Sequence, residues 1–168
     1  VFDAVEIPRH VVLIGPKHTR YGAPAAINLD GAWATPLGPV PVDPDLAAAI
    51  HGAVPGLVDD ADAFAVEHSL EVELPFLRHR RPDVRIVPIV LAGRVDPADA
   101  RALGHRLAEA IAGFGEPVLI VASSDMHHQG SDDLPRGADP VDEVHRRDAL
   151  AMAPLEACDT AGLLEVCR

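Results

Sequence analysis

The stretch HVVLIG at residues 10–15 decides the fold class. This short run of apolar, mostly β-branched residues ends at a Gly-Pro pair, which predicts a buried strand followed by a loop. A second such run, at residues 117–122, also predicts a buried strand. The Asp-Pro pairs at 43–44 and 96–97 each predict a helix start, because Asp caps a helix and Pro suits its first position. Strands that alternate with helices predict an α/β layered fold with a largely parallel sheet.

Two prolines complicate this simple alternation. The run at residues 84–91 is rich in strand-forming residues but contains Pro88, which predicts an edge or bulged strand instead of a central one. Within residues 61–81, Pro75 removes an internal hydrogen bond and must either kink a helix or start a second one. No linker or repeat divides the chain, so we expect a single domain over residues 1–168.

Composition and charge exclude several classes of partner. The chain has 168 residues and a formal net charge of -12, so nucleic acid and anionic membranes are not expected partners. No apolar run reaches the roughly 18–20 residues that span a bilayer, and no signal-peptide pattern opens the sequence. Cys158 and Cys167 do not form a disulfide framework and are expected to be buried or half-buried thiols in a reducing cytosol. We therefore expect a cytoplasmic protein.

Polar clusters follow both confidently predicted strands. Residues 15–19 (GPKHT) follow the first strand, and residues 123–128 (SSDMHH) follow the second. Ligands bind outside the carboxyl ends of the strands in open α/β sheets, so parallel strands would let His18, Asp125 and one of the two neighbouring histidines converge. A carboxylate can fix the tautomer of an imidazole, and the two groups together suit iron, zinc or copper. The alternative is that these residues only cap turns.

A third polar segment, Glu67-His68-Ser69, precedes an apolar helical pattern. It either brings Glu67 or His68 into the same cleft or forms an acidic helix start favoured by the helix dipole. The remaining histidines outside these segments are expected to be ordinary surface or core residues: His10, His51, His79, His105 and His145. The sequence contains no Walker A, G-x-G-x-x-G, C-x-x-C, H-E-x-x-H or G-x-S-x-G motif, which disfavours the standard nucleotide-phosphate cradles.

Three segments together resemble the Memo family, which is often called AmmeMemoRadiSam system protein B in prokaryotes. They are residues 15–18 (GPKH), 67–77 (EHSLEVELPFL) and 123–128 (SSDMHH), and their order and spacing match. The resemblance extends from about His10 to the C-terminus. It implies a three-layer αβα fold with a largely parallel or mixed sheet, related to the catalytic subunits of class III extradiol dioxygenases. Those relatives hold a non-haem iron at one edge of the sheet.

The resemblance also implies a metal pocket and roles for individual residues. The pocket would bind iron or copper, with redox or dioxygenase-like chemistry. By position, His18 matches a metal ligand, Asp125 the acidic residue beside the metal, and His128 the neighbouring histidine, a general base or proton shuttle oriented by Asp125. Further pocket candidates are Glu67, His68, Ser124 and His127, the last at a position where the family pattern does not require histidine.

The sequence departs from the family pattern at both ends. The pattern includes a histidine in a Pro-His-Ala-Gly loop and a cysteine in a later Cys-Gly motif, and this sequence contains neither. Cys167 falls too early to be that cysteine. We therefore expect the chain to be a portion trimmed at both ends of the fold, with the two missing ligands outside it.

Two other functions stay open at this point. Some Memo-family proteins recognise phosphotyrosine-containing peptides through the same pocket, and Lys17, Arg20 and His128 could neutralise such an anion. Zinc-assisted hydrolysis is a further alternative, because an Asp-x-x-His pair suits a water-activating site. An inert structural domain is the plainest alternative. The sequence names neither a substrate nor an oligomeric state.

Overall fold

The computed structural model describes residues 2–93, 96–127 and 139–166. They fall into two compact units, one up to Ser124 and one from Asp125 onwards. The C-terminal unit contains the last two helices, α4 (Pro140–Glu156) and α5 (Thr160–Val166). Cys158, which follows α4, is exposed, so the expectation of a buried or half-buried thiol is wrong for this residue. None of the described helices combines the length and apolar character needed to cross a bilayer. The assignment of all 168 residues to one domain stays a prediction.

The N-terminal unit is built on a mixed, mostly parallel sheet in the order β5-β2-β6-β1-β7. The five strands of this sheet are β1 (His10–Lys17), β2 (Ala25–Ile27), β5 (Val58–Asp59), β6 (Arg85–Ala92) and β7 (Val118–Ala122). A second, two-stranded sheet consists of β3 (Ala32–Trp33) and β4 (Val40–Pro41). Strand β1 pairs in parallel with β6 and β7, whereas β2 pairs antiparallel with β6. The predicted α/β class is confirmed.

The helices of this unit begin where the local sequence chemistry predicts. They are α1 (Pro44–Ala53), α2 (Leu74–Arg80) and α3 (Pro97–Phe114), with 3₁₀ turns at Ala61–Phe64 and Glu71–Glu73. The Asp43 side chain caps α1 by accepting the Leu46 N–H, and Asp96 caps α3 by accepting the Ala98 N–H. Pro75 lies in the first turn of α2. It therefore starts a helix and does not kink one.

Helices cover both faces of the sheet. Val11 and Leu13 of β1 pack in a buried cluster with Leu74 of α2, whereas Val12 packs in a second cluster with Ile50 of α1. All of these side chains are fully buried, and each contributes about 1.5–3 kcal/mol to the free energy of folding through removal of apolar surface from water. The arrangement is compatible with the predicted three-layer fold.

The prediction that Pro88 marks an edge or bulged strand is wrong, because β6 lies between β2 and β1. The carbonyl of Pro88 accepts the Asn28 N–H, so the missing Pro88 N–H also faces β2. The short β2 ladder already ends at the Ile27–Ile89 pair. A central strand therefore tolerates this proline without losing a bond to β1.

Strand β7 is confirmed as a strand but not as a buried one. It stands at one end of the strand order, and in the described part of the chain it pairs only with β1. Ile120 at its centre is 49% exposed. Its continuous apolar run is typical of an interior parallel strand, which explains the mistaken expectation of burial.

Candidate metal site

The two predicted polar loops start at the same edge of the sheet. His18 follows the last residue of β1, and Ser123 follows the last residue of the parallel strand β7. The Ser123 N–H donates to the Ile14 carbonyl at 2.8 Å, so the second loop begins beside the end of β1. The expectation that parallel strands would bring the beginnings of these loops together is therefore confirmed for the described residues.

A buried carboxylate, Glu67, holds the first loop in place. Its side chain has no exposed surface. Oε1 lies 2.9 Å from Nδ1 of His18 and also accepts the backbone N–H groups of His68 and Ser69, each at 2.9 Å. Oε2 accepts the backbone N–H of His18 at 2.6 Å. Glu67 therefore ties the loop after β1 to its own segment through two hydrogen bonds and fixes the backbone of that segment through two more, a role distinct from the helix-start alternative.

These hydrogen bonds determine the charge of Glu67. Burial raises the pKa of its carboxyl group, but hydrogen bonds from the His18 side chain and from three backbone N–H groups outweigh burial and lower the pKa from 4.5 to about 2. The carboxylate is therefore ionised at neutral pH and can only accept hydrogen bonds. It follows that Nδ1 of His18 carries the proton. In the neutral imidazole, Nε2 then keeps its lone pair.

His68 completes a cluster of metal-binding residue types with His18 and Glu67. The two imidazole rings have centroids 4.7 Å apart and are tilted by 55°. Nδ1 of His68 lies 3.4 Å from Oε1 of Glu67. One potential ligand atom from each of the three residues lies within 4.8 Å of the other two. The His18 side chain is 47% exposed and the His68 side chain 67% exposed, so both imidazoles are open to solvent.

Close packing against β1 places the Glu67 segment. A Cβ atom on Gly15 would lie 2.7 Å from Cδ2 of Leu70 and 2.9 Å from Oγ of Ser69, so any larger residue would force these side chains to shift. The Ser69 hydroxyl donates to the Pro16 carbonyl, and the Ser123 hydroxyl donates to the Ser69 carbonyl. Sequence reasoning missed these three small residues as builders of the site. The available signal was the glycine at the end of the predicted strand, because a glycine in or beside a strand often marks close backbone approach.

The other predicted site residues lie at or after the end of the N-terminal unit. Ser124 is exposed and is the last residue of the N-terminal unit. Asp125 and His127 belong to the C-terminal unit. His128 lies outside the described residues. The predicted convergence of His18 with Asp125 and His128 therefore stays a prediction.

Within the C-terminal unit, His127 has partners on helix α4. Its backbone N–H donates to Oδ1 of Asp148 at 2.8 Å, and its Nε2 lies 3.2 Å from Nη1 of Arg147. Arg147 also donates to Glu143. The imidazole of His127 is therefore engaged within its own unit.

Comparison with known proteins agrees with the resemblance read from the sequence. The sequence profile described as Memo-like protein matches residues 1–168. A MEMO1 family protein of Pyrobaculum arsenaticum is 41% identical over 159 residues, which are 95% of this chain and 53% of that protein. A MEMO1 family protein of Aquifex aeolicus is 37% identical over 164 residues, or 97% of this chain and 57% of that protein. The chain thus spans about half the length of the curated relatives it matches.

Proposed function

The chain belongs to the Memo-like family, and we propose that it supplies part of a non-haem metal site for iron or copper, with His18 as a ligand through Nε2. One observation carries the proposal. The imidazole of His18 is fixed through Nδ1 by a buried carboxylate, its side chain is half exposed, and no group in the described residues bonds its Nε2. Metal-ligating histidines generally have this arrangement, with one ring nitrogen held by a carboxylate or carbonyl and the other open.

The donor chemistry of the cluster fits this assignment. Imidazole nitrogens suit iron and copper, and His68 places a second imidazole beside the first. When bound, such a metal would supply Lewis-acid or one-electron chemistry. The protein's own contribution here is to hold the His18 ring in one orientation and to leave its outer edge open to solvent. The sequence lacks two ligands of the family pattern, so we propose His18 as one member of a larger ligand set.

The remaining roles follow from the family resemblance and belong to the same proposal. His128 would serve as a general base or proton shuttle and Asp125 as the carboxylate that orients it. The fold would be the three-layer, extradiol-dioxygenase-like one, which the helices on both faces of the sheet support. A cytoplasmic location is supported by the free thiol of Cys158.

Metal titration of matched histidine variants tests the proposal. The protein is dialysed against Fe(II) under anaerobic conditions, or against Cu(II), and the bound metal is measured by elemental analysis. Because the chain carries only part of the ligand set, we expect measurable but incomplete binding by the wild type. We expect much less binding by His18→Ala and unchanged binding by His105→Ala, which removes an exposed histidine from α3. Binding by His18→Ala equal to that of the wild type, or no binding by the wild type, would contradict the proposal.

A second candidate function, recognition of a phosphorylated peptide, is favoured by Lys17. This side chain is buried, and its ammonium donates to the Thr19 carbonyl at 2.7 Å. In the described part of the chain it has no carboxylate partner, although buried lysines are usually paired. Calorimetric titration of the metal-free protein with a phosphotyrosine peptide and its unphosphorylated counterpart tests this function. The function is supported if the wild type binds the phosphorylated peptide and Lys17→Met does not. It is excluded if neither peptide produces binding heat.

A further inference from the structure

We propose that Glu67 is a positioning residue and not a metal ligand: it selects the His18 tautomer that leaves Nε2 open. The inference rests on the proposed role of His18 in metal binding. Three residues of suitable type lie together in the cluster, and their proximity alone would suggest that all three coordinate the metal. They differ in burial and hydrogen bonding: the two imidazoles are exposed to solvent, whereas the carboxylate is buried and hydrogen-bonded to the protein through both oxygens.

The contacts of Glu67 make its carboxylate inaccessible to a metal. Its side chain has no exposed surface, and its two oxygens accept four hydrogen bonds. Three of these bonds fall on Oε1, which is therefore saturated, and Oε2 is held by the backbone N–H of His18 with no surface open to solvent. To reach a metal, Glu67 would have to abandon the N–H of Ser69, which is buried, or the part-buried N–H of His18. Leaving buried donors unsatisfied costs about 1–3 kcal/mol each, which opposes that movement.

The contacts also show why glutamine cannot replace this glutamate. Oε1 and Oε2 of Glu67 each face at least one backbone N–H group. Whichever way the amide of a substituted glutamine turned, its NH₂ group would meet an N–H donor. Glu67→Gln therefore preserves the shape of the side chain but removes the acceptor pattern that holds His18. Glu71→Gln is the matched control, because Glu71 is exposed and lies four residues further along the same segment.

The direct test is the tautomer of His18 in the metal-free wild type, read from the ¹⁵N chemical shifts and couplings of its imidazole by NMR. We expect the proton on Nδ1 and a free lone pair on Nε2. A predominant Nε2–H tautomer would overturn the inference. This readout requires neither a variant nor a metal, so it stands even if Glu67→Gln does not fold, and it is independent of the outcome with His18→Ala.

Two further measurements separate positioning from coordination. We expect Glu67→Gln to lose the single His18 tautomer and to bind Cu(II) about 10- to 100-fold more weakly, while Glu71→Gln binds as the wild type does. When the wild type is loaded with Zn(II), the amide protons of His18 and Ser69 should stay protected from solvent exchange. Loss of that protection on loading would mean that Glu67 moves to the metal, and it would contradict a positioning role. Unchanged Cu(II) affinity and tautomer in Glu67→Gln would contradict it as well.

Discussion

Strand β1 carries a histidine at its start and another just after its end, and in both a carboxylate oxygen lies beside Nδ1. At the amino end, Nδ1 of His10 lies 2.5 Å from Oδ2 of Asp43, and Nε2 lies 3.1 Å from Oε2 of Glu116. At the carboxyl end, Nδ1 of His18 lies 2.9 Å from Oε1 of Glu67, and no described residue bonds Nε2. The His10 side chain is 9% exposed and that of His18 is 47% exposed. A carboxylate on one nitrogen therefore does not distinguish the two sites, whereas the state of the second nitrogen does.

The two ends also differ in what their carboxylates support. Asp43 caps α1, so its contact with His10 joins a helix start to the sheet. Glu67 joins two loops at the edge where α/β sheets bind ligands. We interpret the His10 end as structural and the His18 end as functional. His10 was expected to be an ordinary surface or core residue, and the structure shows that it is buried.

The largest expected effect is a difference in the free energy of unfolding between alanine substitutions of His10 and His18. His10→Ala removes a partner from the buried carboxylate of Asp43 and should lower the free energy of unfolding by about 3 kcal/mol. His18→Ala removes a half-exposed side chain and leaves three backbone N–H donors on Glu67, so it should lower the free energy of unfolding less, by about 1 kcal/mol. Urea denaturation of both variants measures the difference. Equal losses would contradict the division between a structural and a functional end.

A substitution at Gly15, beside the carboxyl end of β1, should have an intermediate effect on stability. Gly15→Ala places a Cβ against Leu70 and Ser69 and should lower the free energy of unfolding by about 1–3 kcal/mol, because the packed segment must shift. It should also weaken metal binding by displacing Glu67. Gly113→Ala is the control: no atom lies within 4 Å of the added Cβ, and this helical position should gain up to about 1 kcal/mol. If both alanines are equally tolerated in denaturation experiments, close packing at Gly15 does not build the site.

The smallest effect concerns a carboxylate that is held by side chains only. Hydrogen bonds from Arg146 and Arg147 lower the pKa of Glu143 from 4.5 to about 2. A depressed pKa stabilises the folded state above the unfolded-state value, and this stabilisation is lost as the pH falls from about 4.5 towards 2. The stability difference between wild type and Glu143→Gln should therefore shrink over that range, and it should be small because arginines on a helix surface are screened by solvent. A pH-independent difference in denaturation experiments would contradict this assignment.

The features of the fold that could be predicted are those that depend on local chemistry. Asp43 and Asp96 each precede a proline, and both begin helices as expected. The place of each strand in the sheet was not predictable in the same way. Pro88 is tolerated in a central strand only because β2 is short, and the length of β2 depends on tertiary pairing. The apolar run of β7 likewise contains no information about which neighbours cover it.

The site could be predicted in its components but not in its hydrogen bonds. His18 was identified by its position after a strand, and the family motif identified Glu67. The contact between them spans 49 residues and depends on the close approach at Gly15. The contacts of His10 span 33 and 106 residues and left no local pattern. Residue type and spacing can therefore nominate a histidine, but only its partners determine whether it can bind a ligand.

The most direct test of the central claim is a histidine-selective NMR titration of the protein with Cu(II). Paramagnetic copper broadens the signals of nearby nuclei, so the nine histidines of the chain report separately on where the metal binds. We expect the imidazole signals of His18 to broaden at substoichiometric copper while those of His10 stay sharp. Simultaneous broadening of both, or broadening of His10 before His18, would contradict it.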